Sequence, residues 1–556
     1  MKLVKSKIKK HFQSNFSPSP HALKVLIEGK IIAESEKPSH MIERVVNSLV
    51  EVEKRFNTSP KEIKELAKKL IFLLDNKYCV MSTPILTNAG RYIQKPLSAC
   101  SMPPLDLVHD SKEKIKKVIF KFHQDGMGTG FNLNELDDPV SILKMLNNFA
   151  IESADSGKEN RPVGNMATLT VYHSDILKFI NTKTKADKLN EIWKFNISVD
   201  CDKFFFQQLL KNRSITLKNG KTISAEKIFN SIQNAAYSSA DPGLIFLDRM
   251  EEDNPTPNVG HYESTAPCAE VGLTKGESCQ FGYINLGRFI NKNRNIDLVL
   301  LKDTVYILTR MLDNALEISI DNYSELMNKE IMIQKRKIGI GICGLADFFV
   351  KLKINYASLE ARELAKDIIA FINYESKIVS HELAKVRSSA GAFSVPIGNR
   401  YFDTPSFLEK KYGELNTKYV SCEQWKVLSQ TIRKTKLLRN VSTIALPPTG
   451  RSGLIVDAST GVEPIFSREE YMTLHKNLKE YEPYIKTAKE ILPEDHLLMV
   501  ASIQKVVDES ISKTINLPFN IKKEEIRNIY LRAWQLGLKG VSIYRENSKK
   551  KQPRKL

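Results

Sequence analysis

The sequence predicts an α/β fold, because short strand-like stretches alternate with amphipathic helices along most of its 556 residues. Its hydrophobic fraction of 42% and charged fraction of 26% are typical of a globular protein with a large core. It contains no apolar run of about 18 residues or more, so we expect no membrane-spanning segment and no membrane partner.

The net charge of +19 is compatible with a phosphate-rich partner. The lysines are spread along the whole chain and do not form one stripe with aromatic residues, so solvated surface explains most of them. Specific nucleic-acid binding is therefore not expected; as a remote alternative, it would show itself as salt-dependent DNA binding. The basic segment 546–556 is predicted to be a disordered tail.

Seven cysteines are few, odd in number and scattered. Neither a Cys-x-x-Cys pair nor a Cys/His cluster with zinc spacing occurs, so we expect no metal site and no secreted disulfide scaffold. The basic first ten residues are not followed by an apolar region, which is unlike a secretory signal. Together these features favour a reducing cytoplasm with one or two functional thiols.

Two amphipathic helices are predicted at 41–56 and 60–77, which makes 1–78 a helical N-terminal region. Turn residues around short apolar pieces then predict strands within 82–91 and 96–100. Further helices are predicted at 112–125, 175–181, 225–238, 298–320, 359–386 and 523–537. Further strands are predicted within 161–171, 195–200, 336–342, 441–446 and 540–544. We find no internal repeat and no second domain boundary.

The glycine cluster at 126–130 follows a helix and not a strand, so it is not a dinucleotide-binding fingerprint. It predicts either a helix C-cap or a close backbone approach to a ligand. The segment 447–453 joins a predicted strand to a Pro/Gly loop with hydroxyls and an arginine, which favours a phosphate cradle of backbone N–H groups.

Cys268 and Glu270 form the most informative pair in the chain. In an extended segment, residues two apart point to the same side, so a thiol and a proton acceptor can face one substrate. Pro267 stiffens the backbone between them. An isolated cysteine is more often a core residue. The carboxylate and two further thiols, Cys279 and Cys100, favour a chemical role here.

Eight motifs occur together and in a fixed order: STPILTNAGR, LSAC, GxGxGF, FNISV, PCxE with a later ESC, INLG, GLAD, and PTG followed by STGVEPIF. In this order they resemble the catalytic subunit of ribonucleotide reductases, from about residue 17 to 548. The resemblance implies a ten-stranded α/β barrel over 79–545, built from two parallel half-barrels. A finger loop would carry a cysteine into its centre.

The resemblance implies reduction of ribonucleotides, as diphosphates rather than triphosphates, to 2′-deoxyribonucleotides for DNA synthesis. Cys268 matches the radical cysteine that takes the 3′ hydrogen of the ribose. Glu270 matches the carboxylate that accepts the 3′-hydroxyl proton. Cys100 and Cys279 match the pair that reduces the 2′ position and becomes a disulfide.

The resemblance also implies binding positions. Those for the substrate are Thr83, Ala99, Gly128, Ala266, Pro267, Ala269, Pro448, Thr449, Gly450, Arg451 and Ser452. The segment 161–170 is similar to a loop that couples an effector nucleotide at a homodimer interface to substrate choice. Asp106 is a candidate for that effector site.

The radical source is inferred by elimination. One tyrosine, Tyr544, stands where the oxygen-dependent type has two, and no glycyl-radical motif occurs. The ending GVSIYRENS is similar to that of the adenosylcobalamin-dependent type, which makes adenosylcobalamin the expected cofactor. Two alternatives stay open: a minimal subunit with a metal-containing, radical-generating partner, and a degenerate relative that binds nucleotides without turnover.

Two departures from the family pattern stand out. Ala266 replaces an asparagine that contacts the ribose hydroxyls, and its side chain can accept no hydrogen bond. No cysteine follows Tyr544, where the family usually has an electron-shuttling pair. We therefore expect a thioredoxin-like dithiol to reduce the active-site disulfide, directly or through a separate protein.

Overall fold

The computed structural model describes residues 12–33, 35–159, 161–184, 193–391, 404–474 and 479–548. Its helices are α1 (Pro20–Glu28), α2 (Pro38–Glu51), α3 (Pro60–Asp75), α4 (Thr83–Asn88), α5 (Lys112–Gln124), α6 (Pro139–Asp155), α7 (Ile176–Ile180), α8 (Lys203–Leu210), α9 (Ala225–Ser239), α10 (Leu247–Glu252), α11 (Leu298–Asn322), α12 (Leu326–Lys335), α13 (Leu345–Leu352), α14 (Leu359–Arg387), α15 (Thr404–Tyr412), α16 (Cys422–Thr435), α17 (Arg451–Ile455), α18 (Arg468–Leu474), α19 (Pro493–Gln504) and α20 (Lys523–Gln535). Short 3-10 helices lie at Val52–Phe56, Leu286–Arg288 and Lys479–Tyr484.

The strands are β1 (Cys79–Met81), β2 (Cys100–Ser101), β3 (Gly128–Asn132), β4 (Asn165–Thr170), β5 (Phe195–Asp200), β6 (Ser214–Thr216), β7 (Thr222–Ser224), β8 (Gly243–Ile245), β9 (Ser264–Thr265), β10 (Gly272–Leu273), β11 (Ser278–Asn285), β12 (Ile338–Cys343), β13 (Thr514–Leu517) and β14 (Gly540–Arg545). Two small hairpins, β6–β7 and β9–β10, stand apart from the main sheet.

The N-terminal helices form as their sequence predicts. Pro60 occupies the first turn of α3, where its missing N–H costs nothing, and the Ser59 hydroxyl accepts a hydrogen bond from the Glu62 amide. The apolar faces of α2 and α3 are buried in the main core. The two predicted helices are therefore confirmed, with residues 52–56 tightened into a 3-10 turn.

The main sheet consists of two parallel halves. In the first, β2, β3, β4, β5 and β8 run parallel in that order. The second contains two parallel pairs, β11–β12 and β13–β14. Antiparallel pairing joins the halves at two seams, β2–β11 and β8–β14.

An extended segment connects the two pairs of the second half. Ile340 of β12 bridges to Ile444 in parallel, and Leu446 bridges in parallel to Ile511, just before β13. When this segment is counted as a strand, backbone pairing runs through ten strands and returns to the first one. The predicted barrel of two parallel five-stranded halves is confirmed in this arrangement.

Large and small residues alternate across the pairing of β11 with β12. Phe281 lies opposite Gly339, and Tyr283 lies opposite Gly341. A Cβ at Gly339 would come 2.4 Å from the Phe281 ring, and one at Gly341 would come 2.9 Å from the Tyr283 ring. The glycines thus make room for two aromatic side chains on the same face of the sheet.

Two local predictions differ from the structure. Residues 83–88 form α4 and not a strand, because Pro84 suits the first turn of a helix and six residues are too few to show helical periodicity. Residues 441–446 are extended but pair only through isolated bridges. The other predicted helices and strands are present, with ends shifted by a few residues.

Within the described ranges, no helix is both long and apolar enough to cross a bilayer. The division into 1–78 and 79–545 stays a prediction. Most of the predicted tail, from 549 onward, lies outside the described residues.

Candidate active site

A cavity of about 720 Å³ lies inside the barrel. Its wall includes residues from both seams: Cys100 at the β2–β11 seam, and Leu244 and Val541 at the β8–β14 seam. The cavity is therefore bounded by both halves of the barrel.

The β9–β10 hairpin places a loop, 266–271, in this cavity; we call it the finger loop. Contacts from both halves hold it. The Asn196 side-chain amide donates to the Pro267 carbonyl at 2.9 Å, and the Ser510 amide donates to the Glu270 carbonyl at 3.0 Å. The loop tip is thus fixed relative to the barrel wall.

The glycine cluster makes room for the finger loop. A Cβ at Gly130 would lie 2.3 Å from the Thr265 carbonyl oxygen, and one at Gly128 would lie 3.0 Å from Pro267 Cγ. Gly126, with φ +84°, follows α5 in the left-handed region that suits a helix end. The helix-end interpretation is confirmed at Gly126; the close contacts of Gly128 and Gly130 are with the protein's own backbone and finger loop, and an approach to a ligand stays a prediction.

Cys268 and Glu270 both line the cavity, but not for the expected reason. The backbone between them is a turn and not extended: the Ala269 amide donates to the Ala266 carbonyl at 2.9 Å, and Ala269 has φ +59°. The expectation that an extended segment places the two side chains on one face is therefore wrong, although the cavity receives both.

The Cys268 side chain is exposed towards the cavity while protein surrounds it on all other sides. This low-polarity environment raises the pKa of the Cys268 thiol, and the neighbouring Glu270 raises it further. Cys268 is therefore held as a thiol and not a thiolate. Such a group has a hydrogen atom to lose.

Glu270 is a buried carboxylate, only 2% exposed, and its Oε2 atom accepts no hydrogen bond from any described residue. Burial raises its pKa to about 7, against a smaller lowering by the backbone N–H groups of Glu270 and Cys268. A carboxylate with this pKa can take up or release a proton near neutral pH.

Cys100 and Cys279 lie directly opposite each other at the β2–β11 seam. Opposed residues of an antiparallel pair have Cα atoms about 4.5 to 5.5 Å apart. That separation lies within the range for a disulfide. Both are free cysteines here, and burial raises the pKa of each thiol.

Arg161 reaches the same end of the cavity. Its guanidinium donates to the carbonyl of Gly126 at 2.9 Å and to that of Ala99 at 3.0 Å. Burial lowers the pKa of Arg161, and its charge also acts on Cys100 and Cys268. The positive charge near Cys100 and Cys268 therefore comes from an arginine held by backbone carbonyls.

Residues 448–452 line the cavity and turn into α17. Thr449 has φ +56°, and Gly450 combines φ +46° with ψ −116°, a conformation that favours glycine. The Ser452 hydroxyl donates to the Met81 carbonyl at 3.2 Å, and Thr449 Oγ1 accepts from the Gly461 amide at 2.9 Å. The hydroxyls thus help to shape the turn.

A family model described as "Ribonucleotide reductase, barrel domain" matches residues 130–482 and 468–544. That match covers well over half of the chain, and the barrel described above agrees with it. The chain belongs to the ribonucleotide reductase family.

Several similar proteins are named for the same chemistry. A "Vitamin B12-dependent ribonucleoside-diphosphate reductase" of Thermoplasma acidophilum is 32% identical over 530 residues, which are 84% of this chain and 64% of that protein. A protein of the same name from Mycobacterium tuberculosis H37Rv is 28% identical over 93% of this chain and 76% of its own. A "Vitamin B12-dependent ribonucleotide reductase" of Streptomyces clavuligerus is 23% identical over 92% and 63%. The chain thus spans less than two thirds of two of these relatives.

In this reductase-family chain, most of the predicted site residues meet around one cavity. Those that line it are Thr83, Ala99, Cys100, Gly128, Pro267, Cys268, Ala269, Glu270, Pro448, Thr449, Gly450, Arg451 and Ser452. Their roles stay predictions.

Three predicted residues lie elsewhere. Ala266 is fully buried and is not among the lining residues, so it supports the loop from behind. Cys279 is fully buried and lies opposite Cys100 on the neighbouring strand, and it is not among the lining residues. Asp106 lies on the surface, where it accepts a hydrogen bond from His109 Nδ1 at 2.9 Å, and it does not line the cavity.

Sequence reasoning missed several lining residues. Lys513 is buried, forms an ion pair with Glu463 and donates to the Thr514 carbonyl at 2.7 Å. Tyr283 and Asn196 also line the cavity. Asn196 lies within the FNISV motif, so that motif was the available signal. No local pattern marks Lys513. Within the described residues, no His, Cys, Asp or Glu cluster could hold a metal ion.

Proposed function

We propose that this chain reduces ribonucleoside diphosphates to 2′-deoxyribonucleotides by thiyl-radical chemistry, for DNA precursor synthesis. The observation that carries the proposal is the finger loop. It brings Cys268 and Glu270, whose Oε2 atom is unpartnered, into one cavity with Cys100, and Cys279 lies opposite Cys100 on the neighbouring strand. The names of the similar proteins support this reaction class.

The first role belongs to the finger-loop pair. Cys268, as a thiyl, takes the hydrogen atom from C3′ of the ribose. Glu270 accepts the proton of the 3′-hydroxyl, for which its pKa of about 7 is suited. The 2′-hydroxyl then leaves as water, and Cys268 returns its hydrogen atom at the end of the cycle.

The second role belongs to the seam pair. Cys100 and Cys279 together supply two hydrogen atoms, one of which completes the departing water and one of which replaces the 2′-hydroxyl. Their sulfurs join as a disulfide. One ribonucleotide and two thiols thus give one deoxyribonucleotide, one water and one disulfide, and the directly opposed strand positions support this pairing.

We propose adenosylcobalamin as the cofactor; when bound, it supplies one-electron chemistry that removes a hydrogen atom from a thiol. The cavity wall at the β8–β14 seam fits a bulky group near Cys268, because small residues line it: Ala240, Gly243, Gly540 and Ser542. A Cβ at Gly243 would lie 3.2 Å from Ser198 Oγ, so side chains there would fill the space. These four residues would face the cofactor.

The segment 448–452 is proposed to hold the substrate phosphates. Its backbone turns sharply at Gly450, and the Ser452 amide donates to the Thr449 carbonyl at 2.9 Å, so the turn is held in one shape on the cavity wall. Arg451 adds a cationic side chain on the cavity wall. The diphosphate is chosen because two of the similar proteins are named as diphosphate reductases.

The remaining partners are proposals from the family resemblance. They are an effector nucleotide near Asp106, a thioredoxin-like dithiol that reduces the seam disulfide, and a second copy of the chain in a homodimer. Cytoplasmic location stays a prediction from the cysteine pattern.

The test is turnover of each ribonucleotide, as diphosphate and as triphosphate, with a dithiol and with or without adenosylcobalamin. We expect deoxyribonucleoside diphosphates to form only with the cofactor. Turnover that instead needs a metal-containing partner would support the alternative radical source. Nucleotide binding without any turnover would contradict the proposal.

A further inference from the structure

The two thiols of the seam pair differ in access. Cys100 is 8% exposed and lines the cavity, whereas Cys279 is 0% exposed and does not. A reductant that enters the cavity can therefore reach the sulfur of Cys100 first. The sulfur of Cys279 would be approached through Cys100 or through the barrel wall.

Beneath Cys279 lies a group of buried charges, which we call the floor cluster. Its members are Tyr262, Glu277, Lys335, Lys337 and Glu509, all buried. Lys337 Nζ lies 2.7 Å from Glu277 Oε1 and 3.1 Å from Glu509 Oε1, while Lys335 Nζ lies 2.8 Å from Glu277 Oε2. The two cations and two carboxylates balance in charge.

Lys337 is the floor-cluster cation that faces Cys279. The β11–β12 register pairs Gln280 with Ile338, so Lys337 stands one step further back, opposite Cys279. Lys337 and Gly339 are two residues apart, so they point to the same face of the sheet. A Cβ at Gly339 would lie 3.2 Å from the Cys279 sulfur. Lys335 contacts Glu277 and the Thr274 hydroxyl instead.

The electrostatics agree with this placement. Burial raises the pKa of Cys279 well above its usual value; the charge of Lys337 opposes that rise, while Glu509, Glu277 and Glu270 add to it. Burial would lower the pKa of Lys337, but Glu277 and Glu509 outweigh it and hold that pKa well above its usual value. Lys337, which also donates to the Tyr262 hydroxyl at 3.1 Å and to the Gly272 carbonyl at 3.0 Å, therefore stays a cation at the strand position opposite Cys279.

We infer from this geometry that reduction of the Cys100–Cys279 disulfide always begins at the same one of its two sulfurs. An external dithiol attacks the sulfur of Cys100, and Cys279 leaves as a thiolate beside the ammonium group of Lys337. Lys337 is thus a positioning residue for the leaving group. The inference rests on the proposed function, in which these two cysteines form the disulfide.

The exchange balances in two steps. The ionised first thiol of the reductant forms a bond to Cys100 sulfur, the Cys100–Cys279 bond breaks, and its electron pair stays on Cys279, which then takes up one proton. The second thiol of the reductant attacks the mixed disulfide and expels Cys100, which takes up the other proton. The reductant ends as a cyclic disulfide, and both seam cysteines end as thiols.

The first experiment maps the mixed disulfide in the full-length chain. The seam pair is oxidised, treated briefly with the monothiol 2-mercaptoethanol, quenched with acid and alkylated, and the peptides are analysed by mass spectrometry. We expect the mercaptoethanol adduct on Cys100 and the alkyl group on Cys279. The reverse assignment would overturn the inference, and this experiment needs no variant that must fold.

The second experiment compares two lysines of the same cluster. Lys337→Met should slow reduction of the seam disulfide by dithiothreitol at least tenfold, while Lys335→Met, equally buried, should stay within threefold. Lys337→Arg, which keeps the charge, should recover much of the rate. Equal slowing by both methionine variants would mean a merely structural role and would overturn the assignment of Lys337.

The outcomes separate this inference from the proposed function. If Cys100 and Cys279 never join as a disulfide during turnover, the proposed function fails and the inference with it. If the disulfide forms but mercaptoethanol attaches to Cys279, only the inferred site of attack is wrong.

Discussion

Two buried carboxylates, Glu270 and Glu277, lie seven positions apart on either side of the β10 strand, and their surroundings are opposite. Glu270 is 2% exposed with an unpartnered oxygen, and burial raises its pKa to about 7. Glu277 is 0% exposed, but Lys335 and Lys337 outweigh burial and lower its pKa to about 2.

The difference shows where the chain neutralises charge and where it does not. Burying an ion costs free energy unless the ion is paired, so the ion pairs of Glu277 belong to the stable interior of the fold. The finger loop instead leaves Glu270 without a cation, which keeps its proton exchangeable. Stability is thus expected to depend on the floor cluster, and turnover on the finger loop.

The largest effect is expected at the tip of the finger loop. Cys268→Ala removes the sulfur proposed to take the 3′ hydrogen, so turnover should fall below detection while the melting temperature stays unchanged. Cys422→Ala, which removes a thiol on α16 away from the cavity, is the matched control and should keep full activity. Normal activity in Cys268→Ala would refute the assigned chemistry.

Glu270→Gln should come next. It keeps the shape of the side chain but removes the proton acceptor, and loss of a general base costs about 10²- to 10⁴-fold in rate. Glu263→Gln, on the same hairpin but outside the cavity lining, should change kcat less than twofold. A Glu270→Gln enzyme with wild-type kcat would remove the contrast between the two carboxylates.

Glu277→Ala should act on stability instead. It leaves Lys335 and Lys337 buried without a shared partner, and breaking a buried ion pair costs about 3 to 5 kcal/mol. Denaturant unfolding measures this loss. Glu330→Ala, at an exposed position of α12, should stay within about 0.5 kcal/mol of wild type.

The pH dependence should have opposite signs at the two sites. Glu270 has a folded pKa raised from 4.5 to about 7, so the folded state binds more protons in that window and stability falls as pH rises. The change is about 3 kcal/mol, at 1.36 kcal/mol per pKa unit. Glu277, with its lowered pKa, contributes stability above pH 4.5 that is lost as pH falls towards 2.

Unfolding of wild type and Glu270→Gln between pH 4.5 and 7.5 measures the first of these changes. The variant should gain relative stability steadily across that range, because it has no proton to release there. A constant difference between the two proteins would show that Glu270 is ionised throughout and is compensated by a partner.

The smallest effect is expected at Gly339→Ala. The new methyl group would meet the Phe281 ring at 2.4 Å and the Cys279 sulfur at 3.2 Å. Overpacking of this kind costs about 1 to 3 kcal/mol. The denaturant concentration at the unfolding midpoint measures this cost. An unchanged midpoint would mean that the β11–β12 pairing can shift to accommodate the added methyl group.

The sequence motifs were sufficient to predict much of the fold and of the candidate site. They identified the barrel, its three thiols and most of the cavity lining, since the motifs form or flank the strands around the cavity. The local backbone conformation was harder to predict from the sequence. The turn at Ala269 and the six-residue helix α4 are both too short for periodicity to reveal.

The floor cluster could not be foreseen at all. Glu277 and Lys337 are 60 positions apart, and Glu509 is a further 172 positions along the chain, so no local pattern joins them. In the sequence these residues look like three of many charges. Their pairing depends on strand register, which follows from the completed sheet.

The finger loop also has a consequence for biosynthesis. One wall around its tip belongs to β14, where a Cβ at Gly540 would lie 3.7 Å from Ala269 Cβ. β14 joins the barrel by pairing with β8, nearly 300 positions earlier. A nascent chain therefore cannot enclose Cys268 until the ribosome has released the residues around 540. The wall around Cys268 is therefore among the last parts of the described barrel to form during synthesis.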